Sequence, residues 1–238
     1  SAEMPPFLSE QLRQLRAALG LHCRHNTRKK ILVTSSIPGE GKSFISTNLA
    51  KSLAGSGRKV ILIDLDLRNP KVSADFSVIG ETGVAEFLQG GLEPYEIIKR
   101  TPFEQLFIAG AGKDALFAPE LTFNKRLSEL FDYLDTVFDF IVVDSAPVHP
   151  VSDAYILTEY CDITLYIVRH DYTPKACIQL LDENNRIKPL KDPVILFNGI
   201  KSRGLFKGQY GLDFGYGNEF AWKKSRKSTL KKFDRTDS

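Results

Sequence analysis

The sequence is poor in residues that staple, ligate or stack: 238 positions hold three cysteines, one methionine, one tryptophan and four histidines. Cys23, Cys161 and Cys177 are unevenly spaced, which gives neither a disulfide framework nor a CxxC metal or redox pair. A reducing, cytoplasmic setting is expected. Trp222 alone offers no stacking platform for single-stranded nucleic acid. No apolar run approaches the ~18 residues that cross a bilayer, and the first residues show no leader pattern. Charge of one sign is also scarce, with 32 Lys or Arg against 29 Asp or Glu, a net of +3. That surplus is local. Trp222 to Ser238 carries seven basic and two acidic side chains, net +5, and the preceding 221 residues carry 25 and 27, net −2. A nucleic-acid partner is therefore not expected, because only the end of the chain argues for one.

What is present suits a packed domain. With 42% hydrophobic and 26% charged residues, the chain is not wholly disordered and is long enough to bury a core. Leucines at 8, 12, 15 and 19 recur at helical spacing, predicting an opening helix over 8–20 that Gly20 stops. Apolar, β-branched runs then alternate with helical patterns: Ile31–Thr34, Val60–Ile63, Leu106–Ala109, Phe140–Val143, Ile163–Val168 and Val194–Phe197. Such runs predict an α/β fold, a mostly parallel sheet with helices on both faces. In open sheets of this kind ligands lie at the C-terminal ends of the strands. After about Lys201 the pattern dissolves into GQYGLDFGYG and a basic stretch. The division expected is a catalytic domain over 1–202 and a mobile tail over 203–238.

The chemistry starts at Ser36–Ser43, SIPGEGKS, between a strand pattern and a helical one. It matches the phosphate-loop pattern GxxxxGK[ST] except that Ser36 replaces the first glycine. Gly39 and Gly41 let the backbone turn its N–H groups toward phosphate oxygens. Lys42 supplies charge for the β- and γ-phosphates and Ser43 a hydroxyl for Mg²⁺. The helix N-terminus adds its partial positive charge. Candidate contacts to ATP are Pro38, Gly39, Glu40, Gly41, Lys42, Ser43 and Phe44.

Two further strands end in acids. In ILIDLDLR, Asp64 and Asp66 are two apart and point to one side of an extended segment. In FIVVDSAP, Asp144 follows four apolar residues. Parallel strands would bring all three to the edge that carries the phosphate loop. Acids beside a triphosphate call for a divalent cation, since otherwise negative charge faces negative charge. Ser43, Asp66 and Asp144 are the candidate Mg²⁺ group, Asp144 acting through water, and Asp64 could activate an attacking oxygen. Arg68 is a further candidate contact to nucleotide.

These segments resemble the Walker A, Walker A′ and Walker B motifs of bacterial protein-tyrosine kinases, with DLDLRNP after an apolar strand the most specific part. The resemblance runs from the first helix to about Asn198, and SEQLRQLR is similar to the family's ExxRxxR helix at Glu10, Arg13 and Arg16. It implies the cytoplasmic kinase module of a membrane polysaccharide co-polymerase, at the inner face of the bacterial membrane. It implies Lys42, Asp64, Asp66 and Asp144 as catalytic residues, with Asp64 orienting or deprotonating a tyrosine hydroxyl. Asn198 resembles an adenine-reading residue, and a strand-end turn asparagine remains the alternative. Through Glu10, Arg13 and Arg16 the resemblance implies a ring-like homo-oligomer, an octamer being one candidate size. The other partners implied are a transmembrane co-polymerase segment or activator and a cognate tyrosine phosphatase. From composition alone, a solvated charged face is the alternative for that helix.

The tail fits the family least well. A dense tyrosine cluster is expected there, and only Tyr210 and Tyr216 stand in the Gly-rich stretch as candidate phosphoacceptors. Two rivals follow. A partitioning or division-site ATPase shares the motif positions but resembles KGGxGKT, with a lysine where Ile37 stands here. An ATP-binding scaffold, catalytically weak, would control assembly of export machinery.

Overall fold

A computed structural model describes residues 5–21, 29–113, 125–149 and 153–200. Cys23, Tyr210, Tyr216, the basic stretch and the 202/203 boundary lie outside the described residues, and the fold below belongs to the unit Ser1–Asn198. The opening helix, α1 (Pro6–Ala18), starts two residues earlier than the leucine stripe, with Pro6 where a missing N–H costs nothing. It closes by backbone bonds from Gly20 N–H to Ala17 and from Leu21 N–H to Arg16, a Schellman pattern.

Strands β1 (Lys30–Ser35), β2 (Val60–Leu65), β4 (Leu106–Ala109), β5 (Phe140–Ser145), β6 (Ile163–Arg169) and β7 (Pro193–Asn198) contain the six apolar runs read from the sequence. Strand β3 (Ile98–Arg100) was not foreseen. It is three residues long, half-exposed and antiparallel to β4, so no apolar run marks it. The sheet order is β3-β4-β2-β5-β1-β6-β7, and every pairing but β3–β4 is parallel. The expected architecture is therefore present.

Period-two alternation divides the core. Ile31, Val33, Leu62, Val142 and Leu165 face α1, α2 (Lys42–Ala54) and α3 (Lys71–Asp75). Leu32, Ile63, Val143 and Tyr166 face α4 (Val84–Gln89), α5 (Arg126–Val137), α6 (Asp153–Leu157) and α7 (Lys175–Ile187). Leu49 and Leu53 of α2 are fully buried; leucines so placed are worth about 2–5 kcal/mol each against alanine. Asp64 and Asp144 share the parity of Leu62 and Val142, so the sheet carries both acids on the α2 and α3 face.

The charged side of α1 holds a correction. Arg13 pairs locally with Glu10 through two hydrogen bonds of 2.8 and 2.7 Å, both side chains outward. Arg16 does not continue that outward face. Its Nη1 donates to the Ser52 carbonyl of α2 at 2.7 Å, and burial lowers its pKa. Leu12 and Leu19 are buried beside α2, and Arg16 lies over the edge of that contact, its stem covering apolar surface as long cationic side chains do.

Candidate active site

Beyond β1 the chain runs through residues 36–41 into α2. Gly39 and Gly41 have φ of 87° and 99°, the left-handed backbone that the phosphate loop requires. Space requires glycine as well. A Cβ on Gly41 would come within 2.2 Å of Asn198 Nδ2, and one on Gly39 within 2.6 Å of Tyr172 Oη. Ser36 needs no left-handed backbone; it is fully buried, and its hydroxyl lies 2.9 Å from the Tyr166 hydroxyl of β6. The departure from glycine is thus a tie between the loop and the next strand.

Lys42, the first residue of α2, is 6% exposed and pairs with Asp66 at 2.8 Å, an acid itself 2% exposed. Opposing a buried charge in this way holds the lysine at the helix N-terminus and makes each partner costly to remove, about 3–5 kcal/mol for a broken buried pair. Asp66 was expected near a metal; its carboxylate engages Lys42. Asp144 and Asp64 are register partners on β5 and β2. Asp144 Oδ1 accepts from Ser46 at 3.1 Å. Its Oδ2 and the Ser43 hydroxyl make no hydrogen bond of ordinary geometry, although the hydroxyl is near enough to favour the carboxylate. Burial raises Asp144 to about 6, with Lys42 opposing the shift.

Asp64 is fully buried under α3, where Oδ2 accepts from both the N–H and the hydroxyl of Ser73 at 2.7 Å. Its Oδ1 has no partner. Burial first, then the neighbouring Asp144, raises it to about 8, so it holds a proton at neutral pH. Among the described residues no three acidic, histidine or cysteine side chains form a metal cage. A hydroxyl and a carboxylate side by side with uncommitted oxygens still fit a small divalent cation that keeps waters and takes its other ligands from phosphate.

Two candidate contacts look elsewhere. The Glu40 carboxylate accepts from Ile37 N–H at 2.8 Å and from the Thr173 hydroxyl, so its side chain braces the loop. Asn198, at the end of β7, donates through Nδ2 to the Glu40 carbonyl at 2.8 Å. That amide supports the loop from behind, and its oxygen and second N–H are what it could offer adenine. Arg68 is exposed on the turn after β2. Pro38 is exposed, and its carbonyl accepts from Tyr172. Phe44, half exposed, stands in the wall of a cleft of about 790 Å³ together with Lys42, Ser43, Lys51, Phe76 and Phe103. Lys51 Nζ lies 4.4 Å from the centre of the Phe103 ring. The cleft therefore opens at Lys42 and Ser43 and continues along an aromatic and cationic wall.

Sequence reasoning missed the turn after β6. Arg169, Tyr172 and Thr173 contact Gly39, Pro38 and Glu40 in turn. The signal was available: β6 was read as a strand, and in a sheet where it neighbours β1 its C-terminal turn must lie beside the phosphate loop. Ser73 escaped for want of any motif.

Comparison with known proteins agrees with this geometry. A family model described as an AAA domain matches residues 28–192. Tyrosine-protein kinase CpsD of Streptococcus pneumoniae is 33% identical over 193 residues, covering 80% of this chain and 83% of that protein. Tyrosine-protein kinase ptk of Acinetobacter johnsonii is 31% identical over 171 residues, 72% of this chain, and the match spans only 23% of that longer relative. The solved BceF tyrosine kinase domain is 30% identical with a TM-score of 0.67, covering 79% of this chain and 76% of that one. On its phosphate loop, its acidic strands and these matches, the chain belongs to the bacterial tyrosine-protein kinase family, built on an AAA-type nucleotide-binding domain.

Proposed function

We propose that the chain is a tyrosine autokinase that uses ATP and Mg²⁺, transfers phosphate to tail tyrosines between subunits of a ring, and so regulates capsule or exopolysaccharide synthesis and export. The observation that carries this reading is the α2 N-terminus, where Lys42, the Ser43 hydroxyl and Asp144 Oδ2 converge in a chain of this family. Lys42 would exchange Asp66 for phosphate, and Asp66 would hold it ready for that exchange. Ser43 and Asp144 would hold the cation, Asp144 through water. Bound there, Mg²⁺ would neutralise charge on the transferring group. Asp64 would orient the acceptor hydroxyl; raised to about 8, it becomes a proton acceptor only when positive charge nearby lowers it.

The body over 1–202 would be the catalytic domain and 203–238 the tail, with Tyr210 and Tyr216 as acceptors. Glu10 and Arg13 would form the subunit contact, with Arg16 anchoring the helix to α2 beneath them, and a co-polymerase segment at the inner membrane face and a phosphatase would be the other partners. No helix among the described residues is long and apolar enough to cross a membrane, so attachment would come from that partner or from the basic tail. The sparse tail tyrosines favour one second reading, a weakly catalytic ATP-binding scaffold.

Incubation with labelled ATP and Mg²⁺, followed by phosphopeptide mapping, separates the two. Label in the wild-type chain, absent in Lys42→Met and much reduced in Tyr210→Phe/Tyr216→Phe, is the expected result. Nucleotide binding without label would leave the scaffold, and free phosphate without protein label would leave an ATPase.

A further inference from the structure

The turn after β6 contains a tyrosine that the nucleotide chemistry leaves unused. Tyr172 is 47% exposed, and its hydroxyl donates to the Pro38 carbonyl at 3.0 Å. The Arg169 guanidinium lies 5.0 Å from the centre of the same ring and donates to the Gly39 carbonyl at 2.7 Å. Thr173 donates to the Glu40 carboxylate. Three side chains of one exposed turn thus grip three consecutive residues of the phosphate loop. Asp171, between them, is in the left-handed region at φ 58°, the backbone that lets Tyr172 and Arg169 reach the same loop. Tyr172 and Arg169 take hold of carbonyl oxygens. A peptide's carbonyl and N–H point to opposite sides, so the grip is on the face away from the N–H groups that take phosphate.

We propose that Tyr172 is a phosphate-accepting site on the body of the protein, esterified from ATP held in another copy, and that the ester releases the turn from the phosphate loop. This rests on the tyrosine-kinase reading. In the transfer a bond forms between the γ-phosphorus and Tyr172 Oη, and the bond from that phosphorus to the ADP oxygen breaks. The phenolic proton passes to a carboxylate of the transferring copy or to water. Transfer runs between copies because Tyr172 and the chain's own phosphate cradle occupy opposite faces of the loop. The half-exposed ring on a surface turn can meet a second molecule.

Release follows from the local chemistry. The ester oxygen has no hydrogen to give the Pro38 carbonyl. Phosphate adds about −1.5 to −2 charge and three acceptor oxygens, and Oη stands 3.0 Å from the Pro38 carbonyl oxygen, another acceptor. Two acceptors face each other if the group stays in place, and the Glu40 carboxylate at the next contact repels it. Arg169 is the nearest cation and offers a bidentate fork for phosphate, which withdraws it from the Gly39 carbonyl. Two of the three contacts are lost together. The loop then pre-orders its N–H groups less well, and nucleotide binds more weakly.

The test uses the full chain. It is incubated with ATP and Mg²⁺ over a time course and mapped for phosphotyrosine, and fluorescent ADP is titrated into the phosphorylated and unphosphorylated fractions. Phosphate on Tyr172 with nucleotide affinity lowered about tenfold or more, the scale of losing two hydrogen bonds, is expected. Tyr172→Phe keeps the ring over Gly39 but neither accepts phosphate nor donates. It should bind about 2–10-fold more weakly than wild type, one bond's worth, and lose no further affinity after incubation with ATP. Label confined to tail tyrosines overturns the inference and leaves the kinase reading standing. Phosphate on Tyr172 with unchanged nucleotide affinity overturns the release. No label on the chain or on an added tyrosine copolymer overturns both.

Discussion

Asp64 and Asp144 lie side by side on β2 and β5, and what faces each one sets its proton affinity. Asp64 has Ser73 for a donor and Asp144 for a neighbour, and Asp144 has Lys42 and Ser46. Both are raised, to about 8 and about 6, from an ordinary value of 3.8, so the folded chain binds more protons than the unfolded one between roughly pH 4 and pH 8. The stability contributed is complete below pH 4 and is lost as pH rises through 6 and then 8. Measured without nucleotide or divalent cation, the melting temperature should fall by roughly 5 °C or more from pH 5 to pH 8, at about 2–4 °C per kcal/mol for a domain of this size. Asp64→Asn, which can still accept from Ser73, should flatten that slope, and an unchanged slope would mean that Asp64 is ionised throughout. The sequence identified these acids by their place after apolar runs, because strand ends are a one-dimensional signal. It did not show how Glu40, Asn198 and Ser36 brace the loop, because Thr173, Tyr166 and Asn198 are brought to that loop by β6 and β7, 130 residues or more along the chain.

At the level of elements, β1, β2, β5 and β6 were legible because they are buried on both faces and read as continuous apolar runs; β7, half exposed at one edge, still keeps such a run, whereas β3 at the other edge is three residues long and has none. Helix α1 was legible for the same reason as a leucine stripe, yet the side on which Arg16 lies was not. One turn of helix separates Arg16 from Arg13, and the Ser52 carbonyl that receives it belongs to another element. The two arginines of the helix should therefore behave differently. Arg13→Glu places like charges where Arg13 and Glu10 now pair, on the outward side, and in the ring proposed above it should leave a monomer in light scattering while hydrogen exchange in α1 stays slow. Arg16→Ala should speed exchange across α1 because the helix loses its polar anchor on α2. A large assembly that survives Arg13→Glu would remove the outward face of α1 from the subunit contact.

For the whole molecule the net charge of +3 conceals a division, −2 before Trp222 and +5 from there to Ser238. A body of that sign has no general attraction to polyanions, and Lys42 at the site is matched by Asp66. The basic end is different, with seven Lys or Arg in 17 residues. Near an anionic leaflet each basic residue is worth about 1 kcal/mol, and that attraction falls away over a Debye length of about 10 Å at 0.1 M salt. The full chain should therefore sediment with phosphatidylserine vesicles at low salt and be released as salt rises, and a chain ending at Ser202 should stay in the supernatant at every salt concentration. Phosphate on Tyr210 or Tyr216, just before that segment, would add about −1.5 to −2 each and shift release to lower salt. Sedimentation of the shortened chain equal to that of the full one would put the attraction on the body, where a net of −2 gives no reason for it.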